Sequence, residues 1–198
     1  MSLPEYLRSD EREDVINALE HAAQTAKTLD KCPLNWKWVI IAVHNALQGA
    51  LVCTLSGTDG TGALNKKSMR AMRDWFEKSR NNPQLLPPDE RLAVPIELYD
   101  RAKKPDYMGQ FGGAPLKTTK EQDNDVKRLN DLRRDFAHFT PKGWSIQSAG
   151  LPRIVLNAIA IIEKLLLSHP ANTLRLESEQ TNRIRQALAT LHGALPVA

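Results

Sequence analysis

Two cysteines, four tryptophans, four phenylalanines and three tyrosines in 198 residues is a sparse supply of reactive and aromatic side chains, and the scarcity excludes several classes of protein. Cys32 and Cys53 have no metal-ligand spacing, and two cysteines in a chain this long do not make a disulfide scaffold, so a reducing compartment is expected. The five histidines are scattered, no carboxylates pair at a catalytic spacing and no nucleophile elbow occurs, so neither a metal nor a cofactor is expected and a small-molecule enzyme has little support. The glycine-rich stretch from Ser56 to Asn65 is not a nucleotide cradle. The lysines after it lack the Gly-Lys-Ser/Thr order, and no strand precedes it.

Long apolar runs are also missing. The most apolar stretch, Trp36 to Leu55, is interrupted by Lys37, His44, Asn45 and Gln48, which favours a buried central helix over a membrane span. Met1 to Asp14 is polar and carries no signal-like apolar core. A cytoplasmic protein without a membrane partner is the expectation. Period-two alternation of apolar residues is absent throughout, so no strand is expected either.

The chain does have ordinary apolar and charged fractions, 41% and 25%, which suit one folded domain over residues 1–198. Its 27 basic and 23 acidic side chains give a net charge of +4, which permits a polyanionic partner without requiring one. Helical periodicity then divides the chain. Asp10 and Glu13 resemble a capping pair for a helix reaching about Leu29 along Val15, Ile16, Leu19, Ala22, Ala23 and Ala26. A second helix from about Pro33 to Leu55 carries one apolar stripe through Trp36, Val39, Ile40, Val43, Leu47, Ala50 and Leu51. Trp38, Ile41 and Val52 form another on its opposite side, with Asn45 and Gln48 between them. A helix apolar on two sides has to be covered twice, by its own domain or by a second copy.

Residues 56–117 alternate loops with shorter elements. A short basic helix from Ser68 to Ser79 sets Met69, Met72, Trp75 and Phe76 on one side and Arg70, Arg73 and Lys78 elsewhere, a spacing that suits a core stripe with a solvated outer face. Asn81 to Asp89 is a proline-rich linker, and Pro95 opens a helical piece to about Lys103. Pro105 to Lys117, rich in glycine, reads as a mobile surface loop able to act as a lid or a partner contact. Thr118 with Glu121 opens a long helix, Pro152 starts a very apolar one ended by His169-Pro170, and a last amphipathic helix runs from about Leu174 to His192. The fold class is all-α, an antiparallel bundle of about six to seven helices.

The long helix ends in Leu132-Arg133-Arg134-Asp135-Phe136-Ala137-His138-Phe139. Val126, Leu129, Leu132, Phe136 and Phe139 face inward, which turns Arg134 and His138, four residues apart, away from the core. Two guanidinium groups, a carboxylate and an imidazole are what a metal-independent phosphodiester cleavage requires. Guanidinium grips phosphate through paired hydrogen bonds, and imidazole exchanges protons near neutral pH. The competing reading is a solvated helix end, where cations favour the negative pole of the helix.

Arg133, four residues and then His138, on a long helix followed by a turn and an apolar helix, resembles the signature of the HEPN domain family. The likeness spans roughly Asp10 to Leu55 and Thr118 to Ser168, which makes residues 56–117 an elaborated insertion in a single HEPN-like domain, and it departs from the family pattern at Arg134, where a smaller polar residue is usual. What it implies is a homodimer whose two motifs face each other across a shared cleft and cleave RNA as a metal-independent endoribonuclease, in a toxin–antitoxin or phage-defence setting with a cognate antitoxin protein. His138 is then the general acid or base, Arg133 or Arg134 the phosphate ligand, Asp135 the group that fixes the imidazole, and Asn45 and Gln48 candidate substrate contacts. The alternative is a non-catalytic helical module that binds RNA, a nucleotide or a protein.

Overall fold

The structure is a computed structural model that describes residues 6, 9–138 and 145–195. Phe139 and the turn expected over 140–144 lie outside the described residues. Among the described residues there is no strand, only one isolated antiparallel bridge between Leu64 and Leu92. Within the described residues seven helices run two turns or longer: α1 (Glu11–Ala26), α2 (Trp36–Leu55), α3 (Lys66–Ser79), α4 (Pro95–Ala102), α6 (Lys120–Ala137), α7 (Leu151–Glu163) and α9 (Ser178–Ala194). Two, α5 (Pro105–Met108) and α8 (Pro170–Thr173), are single turns. The chain is an all-α bundle, as its periodicity predicts.

α2 is the axis of the bundle. It packs against α1, α4, α6 and α7, and its buried residues run almost the whole length of the helix. Pro33–Leu55 is the one stretch among the described residues long and apolar enough to cross a membrane, and most of it is spent in the core. Gly49, late in α2, sits where a Cβ would strike Val15 early in α1, so the two helices cross closely and antiparallel. α6 returns antiparallel to α2, with Leu51, His44, Val126 and Asn130 around one small indentation. α9 runs alongside α1 in the same direction, tied by Arg183 to Glu13 (2.9 Å) and Glu20 (2.8 Å) and by Gln180 to Glu13 (2.9 Å).

Several boundaries differ from the sequence reading, and capping explains them. Asp10 does cap α1, its carboxylate accepting from the amides of Arg12 and Glu13 at 2.9 Å, but the helix stops at Ala26 and turns before Leu29. α6 is opened by Thr119 and Gln122 in a reciprocal capping box, because Thr118 is engaged elsewhere, donating to Asp123 at 2.7 Å. α9 starts at Ser178 behind a Glu177–Gln180 box, four residues later than the expected start near Leu174, and the single turn α8 ends before it at Thr173.

Residues 56–117 divide into two parts. α4 and α5 belong to the core, burying Leu98, Tyr99, Ala102 and Met108. Arg101 is buried with them and donates to the carbonyls of Gly62 (2.8 Å) and Leu64 (2.7 Å) and to Glu97 (2.7 Å), which anchors the glycine-rich loop. The stretch expected to be a mobile loop, 105–117, is docked instead. Met108 and Leu116 are buried, the Leu116 amide donates to Ala102, and the Met108 carbonyl meets His169 Nε2 at 3.2 Å. Gly113 lies so close to that imidazole that any side chain there would collide with it. Among the described residues α3 stands apart from the helix packing of the bundle and lies on its own return segment.

Candidate active site at the C-terminal end of α6

α6 places the candidate residues according to its periodicity. Val126, Leu129, Leu132 and Phe136 are buried, Arg133 is half-buried, and Arg134, Asp135 and His138 are exposed. His138 caps the helix with φ −110° and ψ 65°, its amide donating to the Arg134 carbonyl at 2.9 Å. The cap turns the chain out of the helix at His138, and His138 and Arg134 are both exposed to solvent. Arg134 is ion-paired to Asp131 (3.3 Å) and more loosely to Asp135 (3.8 Å), and Asp135 makes that contact rather than one to His138.

Beneath this surface lies a cluster that periodicity alone does not reveal. His44, on α2, is 4% exposed, and its Nε2 sits 3.2 Å from the side-chain oxygen of Asn130, one turn before Arg133 and Arg134. Burial holds the His44 imidazole below its ordinary pKa. The bond to Asn130 opposes this, the nearby Arg133 charge reinforces it, and Asn45 opposes it in turn. His44 is therefore neutral at neutral pH. With Nε2–H donating to Asn130, Nδ1 is left as a bare acceptor, and it has no partner. The Arg133 Nε–H is a buried donor, also without a partner. A donor and an acceptor, both desolvated and both unsatisfied, thus occupy facing helices beside the candidate site. Unsatisfied buried groups cost free energy and are uncommon outside functional sites.

Asn45 is exposed on the open side of α2, next to His44. Gln48 lines the same indentation as His44, Asn130, Val126, Pro95 and Ile96. The structure therefore gathers Arg133, Asn45 and Gln48 around His44 and Asn130, and sets Arg134, Asp135 and His138 on the adjoining solvent face. His44 and Asn130 are the residues sequence reasoning missed. A histidine breaking an otherwise apolar helix was the only signal for the first. Among the described residues no three histidine, cysteine or carboxylate side chains gather into a metal-holding set. The chain matches no family model, no curated protein and no solved structure.

Proposed function

We propose that this protein is a metal-independent endoribonuclease that acts as a homodimer, with the exposed end of α6 as its active surface. The observation that carries the reading is the outward pair of Arg134 and His138 above the unsatisfied Arg133–His44 cluster, since a phosphodiesterase without a metal needs a cation for the phosphate and a titratable group beside it. His138 takes the proton from a ribose 2′-hydroxyl, whose oxygen attacks the adjacent phosphorus. The bond to the 5′-oxygen breaks, and the His138 of a second copy protonates the leaving oxygen. The products are a 2′,3′-cyclic phosphate and a 5′-hydroxyl. Arginine neutralises the pentacovalent phosphate, and Asn45 and Gln48 contact the RNA from α2. DNA, without the 2′-hydroxyl, is inert. The resemblance to HEPN proteins adds the setting, a cytoplasmic toxin or phage-defence nuclease held in check by an antitoxin protein.

One observation favours a second reading. Arg134 is already paired to Asp131 and Asp135, which suits a structural helix end in a non-catalytic module that binds RNA, nucleotide or protein. The two readings separate on incubation of the purified protein with RNA in chelator. The nuclease yields cyclic-phosphate ends, and His138→Ala lowers the rate by at least about 100-fold with the fold retained. Undiminished cleavage by that variant, or cleavage that needs Mg²⁺, refutes the proposal.

A further inference from the structure

The basic side chains are unevenly distributed. From Lys66 to Arg80 there are six, Lys66, Lys67, Arg70, Arg73, Lys78 and Arg80, against the acidic Asp74 and Glu77, so this short segment carries a surplus equal to the +4 of the whole chain. All six are exposed, and none forms an ion pair within the described structure. Arg101, Arg153 and Arg183 in the bundle, by contrast, are all paired. At ~100° per residue Lys66, Arg70, Arg73 and Arg80 fall on one side of α3, in a line about 21 Å long.

The other side of α3 is already occupied. Met72 is buried, the Trp75 indole donates to the Leu85 carbonyl at 2.8 Å, and Ser68 accepts from the Arg91 amide at 3.2 Å, so the return segment 81–93 covers the apolar face. Covered in this way, α3 has no apolar stripe with which to enter a membrane or a protein groove. What it offers is charge, with one aromatic at the edge. Phe76 is 38% exposed and lies between Arg73 and Arg80 on the helix surface. Cations in a row with an adjacent ring are the elements of single-strand recognition, in which phosphates follow the cations and a base stacks on the ring.

We propose that α3 is a docking arm for the phosphate backbone of single-stranded RNA, separate from the residues at the end of α6. The root of the arm leads to the indentation beside the candidate site. The Asn65 amide donates to the Arg91 carbonyl at 2.8 Å, and Arg91 precedes by four residues Pro95, which lines the indentation with His44, Gln48 and Asn130. That chain length places Arg91 at the root within about 14 Å of the residue lining that indentation. The choice of RNA rests on the ribonuclease reading, whereas the electrostatic argument does not.

The test uses the full chain and a fluorescent 20-nucleotide 2′-O-methyl RNA, which has no free 2′-hydroxyl to attack and so reports binding alone. The quadruple variant Lys66→Gln, Arg70→Gln, Arg73→Gln, Arg80→Gln is expected to bind at least about tenfold more weakly and to lower the slope of log affinity against log salt by about 3, since each phosphate contact on a single strand contributes about 0.7. Lys117→Gln with Lys164→Gln, exposed cations away from the arm, should leave both quantities unchanged. Circular dichroism verifies the fold of each variant. Wild-type affinity and slope in the quadruple variant overturn the proposal, as does binding to 7:3 phosphatidylcholine–phosphatidylserine vesicles with none to RNA. Loss of binding in a protein that never cleaves RNA sinks the nuclease and upholds the arm, and cleavage with intact binding in the variant does the reverse.

Discussion

His44 shows how much one residue owes to its surroundings. In an isolated helix it is a polar interruption, but here it is sealed between α2 and α6, bonded to Asn130 and close to Arg133. Because burial depresses its pKa, the folded state resists protonation that the unfolded chain accepts below about 6.5. The sign follows directly. Above that pH both states are neutral and His44 has no effect, and as the pH falls the unfolded state gains protons and stability is lost. His169, also lowered by burial, acts in the same direction. Urea unfolding between pH 8 and pH 5 should show stability falling on acidification, and less steeply in His44→Gln. An identical pH dependence in that variant would remove His44 from the account.

The helices themselves were largely legible in the sequence, because periodicity and caps are local. Asp10, Pro95 and the break at His169-Pro170 all mark real ends. The docked stretch 105–117 was not legible, since its glycines look the same in a free loop and in one pressed against His169. Arg101 was equally hidden. Its two bonds to the Gly62 and Leu64 carbonyls hold the loop before α3 onto α4, so Arg101→Met is expected to cost about 2–3 kcal/mol in urea unfolding, more than loss of a surface ion pair. A cost below about 0.5 kcal/mol, the usual range for surface substitutions, would mean that the loop holds without it.

For the molecule as a whole, the open side of α2 is the face on which the proposed second copy would pack. Trp38, Ile41, Asn45, Gln48 and Val52 follow a spacing of three and four residues and none is fully buried, with Trp38 50% exposed. That three-and-four spacing is the one paired helices use along their seam. Trp38→Glu should therefore shift the protein from dimer to monomer and weaken self-association at least tenfold in sedimentation velocity. An unchanged dimer would place the interface elsewhere, and a monomeric wild type would deprive the nuclease mechanism of its second imidazole.

The sequence by itself determined an all-α chain, the inward stripe of α6, the outward turn of Arg134 and His138, and the concentration of cations on α3. Each of these follows from spacing along one helix. Only the tertiary structure decided that His44 meets Asn130 across 86 residues of chain, that Arg133 leaves a buried donor beside it, and that α3 is sheathed by its own return segment. Those contacts depend on how helices cross and in which register, which is set by the packing of the entire core at once and not by any local pattern.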